Sequence, residues 1–297
     1  MKLLLLGKNG QVGWELQRSL APLGDVVALD RQMIGGNIAD LDRLAQMIRA
    51  MAPDVIVNAA AHTAVDKAES EPELAMRLNA EAPEIMAQGA LSLGALLVHY
   101  STDYVFDGGG SHPHKEGDAT APLSVYGKTK LEGEKRIAAT GCRHLIFRTS
   151  WVYAARGSNF IKTILKLAQE QEELSVINDQ WGAPTGADLI ADITSHAIRH
   201  VAANEHDMSL YHLSSGGETN WHSYACYVIQ QARSMRPDIA WTVKNIDGVT
   251  TSTKLACARR PLNSRLDTEK LQSKMHLHLP IWQVGVDRML HMILDAD

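Results

Sequence analysis

Short apolar runs alternate with longer amphipathic stretches through the first half of this 297-residue chain. The runs are apolar nearly throughout, which is typical of strands that are buried on both faces of a parallel sheet. The stretches between them carry apolar residues at helical spacing. The pattern predicts strands at Lys2–Leu6, Asp25–Leu29, Asp54–Asn58, Ala95–Ser101 and His144–Arg148, and helices at Gln11–Leu20, Leu41–Met51, Pro72–Leu93 and Ser124–Ala139.

Strand–helix repetition of this kind indicates right-handed βαβ units, and hence a Rossmann-type doubly wound parallel sheet over residues 1–150. Beyond that point the rhythm breaks: Asp179–Gly186 has the composition of a loop, and Lys244–Ser264 has neither a helical nor a strand period. We therefore predict that residues 151–297 form a smaller α+β lobe that mainly binds substrate. Whether some of its elements return to the first sheet stays open. The helices predicted there are Asn159–Glu170, Ala187–Val201, Trp221–Ser234 and Ile281–Leu294.

The amino-acid composition favours some classes of protein and argues against others. Hydrophobic residues make up 45% of the chain and charged residues 21%, which is a globular balance. The formal net charge of −5 argues against nucleic acid and membrane surfaces as partners, because both attract basic faces. Apolar runs stay short of the roughly 18 residues of a membrane span, and Met1–Gly7 is too short for a signal-peptide core. The widely spaced Cys142, Cys226 and Cys257 predict neither disulfides nor a cysteine zinc site, so we expect a protein of the reducing cytoplasm.

A glycine-rich turn joins the first predicted strand to the first predicted helix. Gly7 would allow the tight turn, Gly10 would let backbone N–H groups approach a pyrophosphate, and Gly13 would allow close packing of helix on strand. The start of the helix adds its positive dipole end to the phosphates. Asp30, after the second strand, favours the ribose hydroxyls of NAD, whereas the adjacent Arg31 could pair with the 2′-phosphate of NADP. The motif predicts a dinucleotide site and leaves the choice between NADH and NADPH open.

Tyr126 and Lys130 lie four positions apart in a predicted helix, so both side chains occupy one face. Because an ammonium beside a phenol favours the phenolate, we expect Lys130 to lower the pKa of Tyr126 and ease proton donation to a carbonyl oxygen. Thr102 follows the fourth predicted strand, and open α/β sheets bind ligands beyond the carboxyl ends of their strands. Thr102 is therefore expected to hydrogen-bond the same oxygen.

Together these motifs resemble the extended short-chain dehydrogenase/reductases, and within them the dTDP-4-dehydrorhamnose reductase family. The resemblance covers nearly the whole chain and is carried by Gly7–Leu16, Pro53–Glu71, Ser101–Asp107, Ser124–Lys130, Phe147–Tyr153, Val176–Thr185 and Arg260–Thr268. It implies NADPH- or NADH-dependent reduction of the 4-keto group of dTDP-4-dehydro-β-L-rhamnose to dTDP-L-rhamnose. That reaction is the last step of dTDP-rhamnose biosynthesis, which serves cell-surface polysaccharide.

The same resemblance assigns roles residue by residue. It implies that Thr102, Tyr126 and Lys130 are catalytic and that Asp103 and Trp151 face the dTDP-sugar. Lys130 and Tyr126 would also contact the cofactor. To the glycines of the turn it adds further cofactor-lining positions, namely Gln11, Val12, Asp30, Ala61, His62, Thr63 and Tyr100.

Two departures from the family pattern affect these expectations. Asn37 and Ile38 stand where the family usually has an aspartate and an apolar residue at the adenine, and we expect the amide to keep that hydrogen bond. Family members can hold magnesium with glutamates at a homodimer interface. Here Glu15 matches one ligand position, Asp188 is a shorter substitute for another, and Met292 stands near a third. The resemblance implies a homodimer and leaves both a magnesium-bound and a metal-free interface open.

Other side chains have two interpretations each. Arg260 lies in a polar loop, where it could bind a diphosphate bidentately or remain a solvated surface arginine. The pairs His112/His114 and His276/His278 lack a third ligand at zinc spacing, so solvated histidines are favoured.

A nucleotide-sugar ketoreductase is the leading interpretation, and two alternatives stand beside it. A 4-epimerase or dehydratase would use the same tyrosine and lysine but would keep its NAD bound. A dehydratase would also need an added acid–base pair near Thr102, where this chain has Asp103 and Tyr104. A non-catalytic nucleotide-binding regulatory subunit is disfavoured because the predicted catalytic set is complete.

Overall fold

A parallel sheet forms the centre of the structure. The computed structural model describes residues 1–253 and 257–295. Within them the strands are β1 (Lys2–Leu6), β2 (Asp25–Leu29), β3 (Val55–Asn58), β4 (Leu96–Thr102), β5 (Arg143–Thr149), β6 (Val152–Tyr153), β7 (Glu173–Ile177), β8 (Trp181–Gly182), β9 (Thr185–Gly186), β10 (Leu210–His212), β11 (Thr219–Asn220) and β12 (Asn245–Val249). Of these described strands, six form one parallel sheet in the order β2-β1-β3-β4-β5-β10. The predicted Rossmann-type fold is confirmed, and each predicted strand lies within one residue of its observed bounds.

Helices cover both faces of the central sheet. In the described part of the chain they are α1 (Gln11–Leu20), α2 (Leu41–Met51), α3 (Val65–Ser70), α4 (Pro72–Met76), α5 (Ala82–Leu93), α6 (Val125–Thr140), α7 (Phe160–Glu170), α8 (Ala187–Ala203), α9 (Trp221–Met235), α10 (Glu269–Met275) and α11 (Trp282–Leu294). Leu3 and Leu5 of β1 join a core with α1 and α8, whereas Leu4 and Leu6 join a core with α2 and α5. Burial on both faces explains the uninterrupted apolar runs of the strands. None of the described helices has the length and apolar character needed to cross a membrane.

The helical stretch predicted over Pro72–Leu93 is helical throughout, but its geometry changes in the interior. A π-helical turn, Arg77–Glu81, separates α4 from α5. The apolar pattern continues across the turn and does not reveal it. The turn contains the buried Asn79, whose side chain forms hydrogen bonds with the backbone of His62. The short helix α3, which precedes α4, was also not predicted.

The second half of the chain adds its own core and also extends the central sheet. α7, α9 and α11 enclose a cluster that includes Ile161, Val228 and Val286. By contrast, β10 pairs with β5 at the edge of the central sheet, and Ile190 and Ile198 of α8 belong to the core beneath α1. Residues beyond 150 therefore contribute to both parts of the molecule.

The expectation that Lys244–Ser264 contains no strand is wrong. β12 lies in this range and pairs in parallel with β7, and the predicted loop Asp179–Gly186 holds the two-residue strands β8 and β9. In β12 Ile246 and Val249 are half-buried and the other residues are exposed. Backbone pairing at the surface forms this strand, so it leaves no apolar period in the sequence.

The turn after β1 has the geometry that its glycines predict. Gly7 has a φ of +87°, and a Cβ there would lie 2.8 Å from the carbonyl carbon of Ala59. A Cβ on Gly13 would overlap the carbonyl oxygen of Gly7. α1 can therefore start this close to the sheet only because both positions lack a side chain.

We expect Gly13→Ala to lower the free energy of unfolding by about 1–3 kcal/mol, the usual cost of an overpacked contact. Gly117→Ala is the matched control, because a Cβ on Gly117 would meet no described atom within 4 Å. It should change stability by less than about 0.5 kcal/mol. Urea denaturation of both variants measures the difference, and equal stability of the two would contradict the tight packing at Gly13.

Candidate active site

A cleft of about 1050 Å³ opens at the carboxyl ends of β1, β3, β4 and β5. The strand that follows β1 in the chain, β2, lies on one side of it, and the next strand, β3, lies on the other side. Open α/β sheets bind ligands at the point where the strand order reverses in this way. Residues from distant parts of the chain meet there. The predicted site residues that line the cleft are Gly7, Gly10, Gln11, Val12, Asp30, Asn37, Ile38, Ala61, Thr63, Tyr100, Thr102, Asp103, Tyr126, Lys130 and Trp151.

The N-terminus of α1 opens into one end of the cleft. No described side chain caps its first N–H groups, and Gly10 precedes them. A Cβ on Gly10 would meet only backbone, 3.4 Å from the carbonyl oxygen of Gly7. Gln11 Oε1 is buried and finds no hydrogen-bond partner among the described residues. Open N–H groups and the positive end of a helix dipole suit a diphosphate, so the residues present fit a dinucleotide.

Asp30 is held at the adjacent edge of the cleft. Its Oδ1 accepts the N–H of Gln32 at 2.9 Å and its Oδ2 accepts Asn9 Nδ2 at 2.9 Å, with Lys8 Nζ at 3.7 Å. The backbone hydrogen bond from Gln32, assisted by Lys8, lowers the pKa of Asp30 below its usual value. An ionised carboxylate suits ribose hydroxyls, but Arg31 also lines the cleft, so both forms of the cofactor find a partner here.

α6 carries Tyr126 and Lys130 to the opposite end of the cleft. Ser124 caps this helix, since its Oγ accepts an N–H of the first turn at 3.2 Å. Glu69, from α3, accepts the N–H of Val125 at 2.8 Å. The start of α6 is thus fixed by two side chains, and Tyr126 lies within that fixed turn.

The prediction that Lys130 lowers the pKa of Tyr126 is wrong. Burial raises the pKa of Tyr126 to about 12, although a hydrogen bond with Thr102 acts in the opposite direction. Lys130 is itself buried, which lowers its pKa to about 8, and its Nζ donates to the carbonyl oxygen of Tyr100 at 2.6 Å. Sequence spacing cannot show this burial. Tyr126 therefore keeps its proton at neutral pH, and the raised pKa makes it a weaker acid than a tyrosine of ordinary pKa.

A polar cluster forms where β4 ends. Thr102 Oγ1 donates to Asp103 Oδ1 at 3.0 Å and accepts the N–H of Tyr104 at 3.2 Å. Burial raises the pKa of Asp103 to about 6, although the hydroxyls of Ser264 and Thr102 lower it. The ring of Tyr104 contacts Tyr126 edge-on, with centroids 5.5 Å apart. This cluster therefore lies in the same cleft as Tyr126 and Lys130.

Trp151 lies in the cleft wall and stacks on Trp221, with ring centroids 3.7 Å apart and planes at 17°. Its φ of +49° is uncommon for a residue other than glycine, and such conformations concentrate at functional sites. Trp221 was not predicted as a site residue. In the sequence it marks only the start of a helix, and the stack joins positions far apart in the chain.

Gly13, His62 and Arg260 lie outside the cleft lining. Gly13 packs beneath the glycine turn. The ring of His62 points at Glu71, with Nε2 3.2 Å from the carboxylate. Arg260 donates to Asp66 at 2.5 Å and lies beside a tyrosine of the cleft wall. To bind a ligand in the cleft, Arg260 must break its ion pair with Asp66 and pair with the ligand instead.

The predicted metal ligands are engaged by arginines. Glu15 lies 3.6 Å from Arg18, and Asp188 pairs with Arg288. Within residues 1–253 and 257–295, no three histidine, cysteine or acidic side chains come together as a metal site, and this includes both histidine pairs. Met292 is half exposed on α11 and offers no oxygen. The arrangement within one chain therefore does not fit magnesium.

Asn79 was not predicted, although it joins two parts of the cleft wall. Its Oδ1 accepts the N–H of His62 at 2.8 Å, and its Nδ2 donates to the His62 carbonyl and to Thr129 Oγ1, both at 3.1 Å. Thr129 lies on α6 between Tyr126 and Lys130, and its hydroxyl donates to the Tyr126 carbonyl at 3.0 Å. The buried amide thus connects the loop after β3 to α6. An asparagine among the apolar positions of Pro72–Leu93 was the available signal.

Comparison with known proteins identifies the family of this chain. The family model of the RmlD substrate binding domain matches residues 1–294. The curated dTDP-4-dehydrorhamnose reductase of Shigella flexneri is 57% identical over 294 residues, which are 98% of this chain and 97% of that relative. This chain belongs to the dTDP-4-dehydrorhamnose reductase family. The resemblance stated from the sequence motifs is confirmed.

Solved structures of dTDP-4-dehydrorhamnose reductases have the same fold. The protein from Clostridium acetobutylicum superposes with a TM-score of 0.88 at 32% identity and covers 99% of this chain and 100% of its own. The protein from Bacillus anthracis, solved in complex with NADP, gives a TM-score of 0.87 at 31% identity and covers 98% of this chain and 99% of its own. The family fold therefore extends over both halves of the chain.

We expect Asn79→Ala to destabilise the protein by about 1–3 kcal/mol, because the buried N–H and C=O of His62 lose their partner. It should also weaken cofactor binding, since the loop after β3 loses its link to α6. Asn245→Ala is the control, because Asn245 is exposed. Thermal denaturation and cofactor titration test both effects. An Asn79→Ala protein as stable as the control would show that the amide carries no structural role.

Proposed function

We propose that this family member reduces the 4-keto group of dTDP-4-dehydro-β-L-rhamnose to dTDP-L-rhamnose with NADPH or NADH, as the last step of dTDP-rhamnose biosynthesis. One observation carries the proposal: Thr102, Tyr126 and Lys130 converge at one end of a cleft whose other end is the uncapped start of α1. Purified protein mixed with this dTDP-sugar should consume reduced nicotinamide, seen as a loss of its absorbance. Tightly retained NAD without net oxidation would instead support a 4-epimerase, and binding without any turnover a regulatory subunit.

The cofactor would lie along the carboxyl edge of the sheet. The N–H groups at the start of α1, after Gly7 and Gly10, would hold its diphosphate, and Asp30, Asn37 and Ile38 would surround its adenosine end. When bound, a reduced nicotinamide supplies a hydride to the carbonyl carbon. The NADP complex of the Bacillus anthracis relative supports the same placement on this shared fold.

Tyr126 would act as the acid of the reaction. As the carbonyl carbon accepts a hydride, negative charge develops on its oxygen and must be neutralised. The buried Tyr126 keeps its proton at neutral pH and can donate it to this oxygen. Thr102 Oγ1 would turn its O–H from Asp103 Oδ1 to the same atom. Lys130 lies one turn further along α6, where a positive charge on its amine offsets the phenolate that remains.

Tyr126→Phe should lower turnover by about 10²- to 10⁴-fold, because positioned acid catalysis usually contributes that much. The fold and cofactor affinity should persist. Lys130→Met should also lower turnover, and Thr102→Val should cost less, because it removes one hydrogen bond and no proton.

The matched control is Tyr224→Phe. Tyr224 is buried in the core of the second half, and its hydroxyl finds no partner among the described residues. It should retain full turnover. Steady-state kinetics measures the turnover of both variants, and circular dichroism checks that they are folded. Near-normal turnover of a folded Tyr126→Phe protein would refute the proposed mechanism.

The sugar nucleotide would occupy the side of the cleft formed by Asp103 and Trp151, with residues 151–297 as the main substrate lobe. Trp151 and Trp221 together present a flat apolar wall, which suits a sugar or base ring. Arg260 would hold the diphosphate, after exchanging its ion pair with Asp66. This role is supported by its place beside the cleft and by the need of two phosphates for a local cation in an acidic protein.

Arg260→Ala should raise the KM for the dTDP-sugar by about 10- to 100-fold, equivalent to roughly 1.5–3 kcal/mol for a charge-assisted hydrogen bond. The Kd for the cofactor should change little. Arg259→Ala is the control, because the neighbouring Arg259 is exposed. If both variants have an unchanged KM, Arg260 is a surface arginine.

A homodimer is the assembly we propose, formed through a face that includes one side of α1, α8 and α11. Trp14 and Met292 are about half exposed there, as is Val284, which lies two helical turns before Met292. Ion pairs between Arg18 and Asp192, and between Arg288 and Asp188, connect the three helices across this face. Apolar side chains framed by both signs of charge suit a self-complementary interface.

Val284→Asp should convert the dimer to a monomer, because it places a charge in the centre of that interface. Leu91→Asp is the control: Leu91 is equally exposed but lies on α5, away from this face. Sedimentation velocity of the two variants provides the measurement. A wild-type monomer, or dissociation by Leu91→Asp alone, would exclude this interface.

We propose that the protein is located in the cytoplasm. Cys142, Cys226 and Cys257 are free cysteines, and unpaired thiols persist in reducing compartments. A nucleotide-sugar reductase also needs reduced nicotinamide, which cells keep in the cytoplasm. Fractionation of cells that express the chain would test this placement.

A further inference from the structure

Arg260 and the backbone N–H of Ala258 bind the same carboxylate. Arg260 Nη2 donates to Asp66 Oδ2 at 2.5 Å, and the N–H of Ala258 donates to Asp66 Oδ1 at 3.0 Å. Each carboxylate oxygen therefore has its own donor, and one of the two donors is charged. Guanidinium groups and backbone N–H groups are also the donors that bind phosphate oxygens in proteins. The two donors thus form an anion site that a side chain of the protein itself occupies.

This anion site lies beside the cleft, outside its lining. Asp66 directly follows Val65, which lines the cleft, and Arg260 forms a hydrogen bond with Tyr104, another residue of the lining. The side chain of Asp66 is 50% exposed and that of Arg260 is 30% exposed, so solvent and ligands have access to both. An anion in the cleft beside Tyr104 can therefore reach the guanidinium group, provided that it displaces the carboxylate.

The backbone that follows Arg260 is held from two sides. Asn263 is only 1% exposed, and its Nδ2 donates to two carbonyl oxygens of the loop after β4, at 3.1 and 2.9 Å. On the other side, the N–H of Trp181 in β8 donates to the carbonyl oxygen of Leu262 at 2.8 Å. The main chain beside Arg260 is therefore already ordered. An exchange of one anion for another requires only a rotation of the arginine side chain, which keeps its entropic cost small.

Asp66 is a competitor that a diphosphate can displace. The hydrogen bonds from Arg260 and Ala258 lower the pKa of Asp66, so its carboxylate is ionised at neutral pH. A diphosphate carries more negative charge and more acceptor oxygens than one carboxylate, and the released Asp66 is exposed enough to be hydrated. The apparent affinity of a ligand falls with the fraction of molecules in which its site is free. Occupation by Asp66 therefore weakens the binding of every anion that needs Arg260.

We propose that the N–H of Ala258 and the guanidinium group of Arg260 together bind the diphosphate of the substrate, and that Asp66 occupies their site until the diphosphate displaces it. The inference rests on the proposed function, because it takes a dTDP-sugar as the ligand. It adds a backbone contact at Ala258 and makes Asp66 a specificity-determining residue. A ligand without a diphosphate leaves the ion pair intact and gains nothing from Arg260. The site therefore selects its ligand by charge.

The first test compares the binding of dTDP to Asp66→Asn and to the wild-type protein. Asparagine has the same shape as aspartate, and its Oδ1 still accepts the N–H of Ala258, but it has no charge to hold Arg260. We expect the Kd for dTDP, from isothermal titration calorimetry, to fall by about 2- to 5-fold, the range that an ion pair of this exposure supports. The Kd for thymidine, which has no phosphate, should not change. An unchanged or higher Kd for dTDP would overturn the proposal.

Two controls separate the release of Arg260 from a general change in charge. Asp238→Asn is matched, because Asp238 is also an exposed carboxylate paired with an arginine, Arg236 at 2.8 Å, but it lies after α9 and outside the cleft lining. It should leave the Kd for dTDP unchanged. In an Arg260→Met background, Asp66→Asn should no longer lower this Kd. An equal decrease with and without Arg260 would assign the effect to charge alone and refute the competition.

The second test needs only the wild-type protein. Cys257–Ala258 is the only cysteine–alanine step in the sequence, so ¹³C-carbonyl cysteine combined with ¹⁵N-alanine selects the N–H signal of Ala258 in a correlation spectrum. Addition of dTDP should shift this signal, because its acceptor changes from Asp66 to a phosphate oxygen, whereas thymidine should leave it in place. A signal that dTDP does not move would overturn the proposal even if the variants failed to fold. Neither test requires turnover, whereas a wild-type protein that binds dTDP but consumes no reduced nicotinamide with the dTDP-sugar would refute the reductase function alone.

Discussion

The proposed catalytic end of the cleft depends on how closely α6 approaches the rest of the fold. A Cβ on Gly127 would overlap the carbonyl oxygen of Tyr104, and a Cβ on Gly133 would overlap that of Asn79. The helix therefore contacts neighbouring main chain directly at both positions. Tyr126 immediately precedes the first contact, and Lys130 lies between the two. Their positions are set by backbone packing, which varies far less than contacts between long side chains.

A buried ion pair holds the same helix to the sheet. Glu134 accepts two hydrogen bonds from Arg148 of β5, at 2.9 and 2.7 Å, and both side chains are buried. Loss of either partner would leave an uncompensated charge in the interior. The carboxylate of Glu134 also acts on Lys130 and raises its pKa, so one structural contact both anchors α6 and influences the proton affinity of that amine.

Much of the fold was predictable because the burial of strands and helices leaves regular patterns of apolar residues in the sequence. Strands buried on both faces, such as β1 and β3, leave uninterrupted apolar runs, and the glycine turn leaves a motif. β12 was missed because surface backbone pairing has no such pattern. Within the site, the spacing of Tyr126 and Lys130 predicted a shared helix face, but it gave the wrong direction for the tyrosine pKa. Burial decides that direction, and burial depends on tertiary structure.

Functional partners that meet through tertiary contacts were the hardest to predict. Asn79 and Trp221 act through residues on other elements. Each residue was visible in the sequence as an ordinary helix or strand position. What identifies them is a polar or aromatic side chain buried against a specific partner, and a single sequence does not contain that information.

The edge position of β10 has a consequence for how the chain is made. During synthesis, residues that form β1 to β5 leave the ribosome well before Leu210–His212. Until then β5 presents an unpaired edge, with the N–H and C=O groups that other strands can recruit. α8, which covers the apolar side of α1, also arrives late. The nascent cofactor-binding half is therefore an aggregation-prone intermediate, and its protection depends on rapid completion of the chain or on a chaperone.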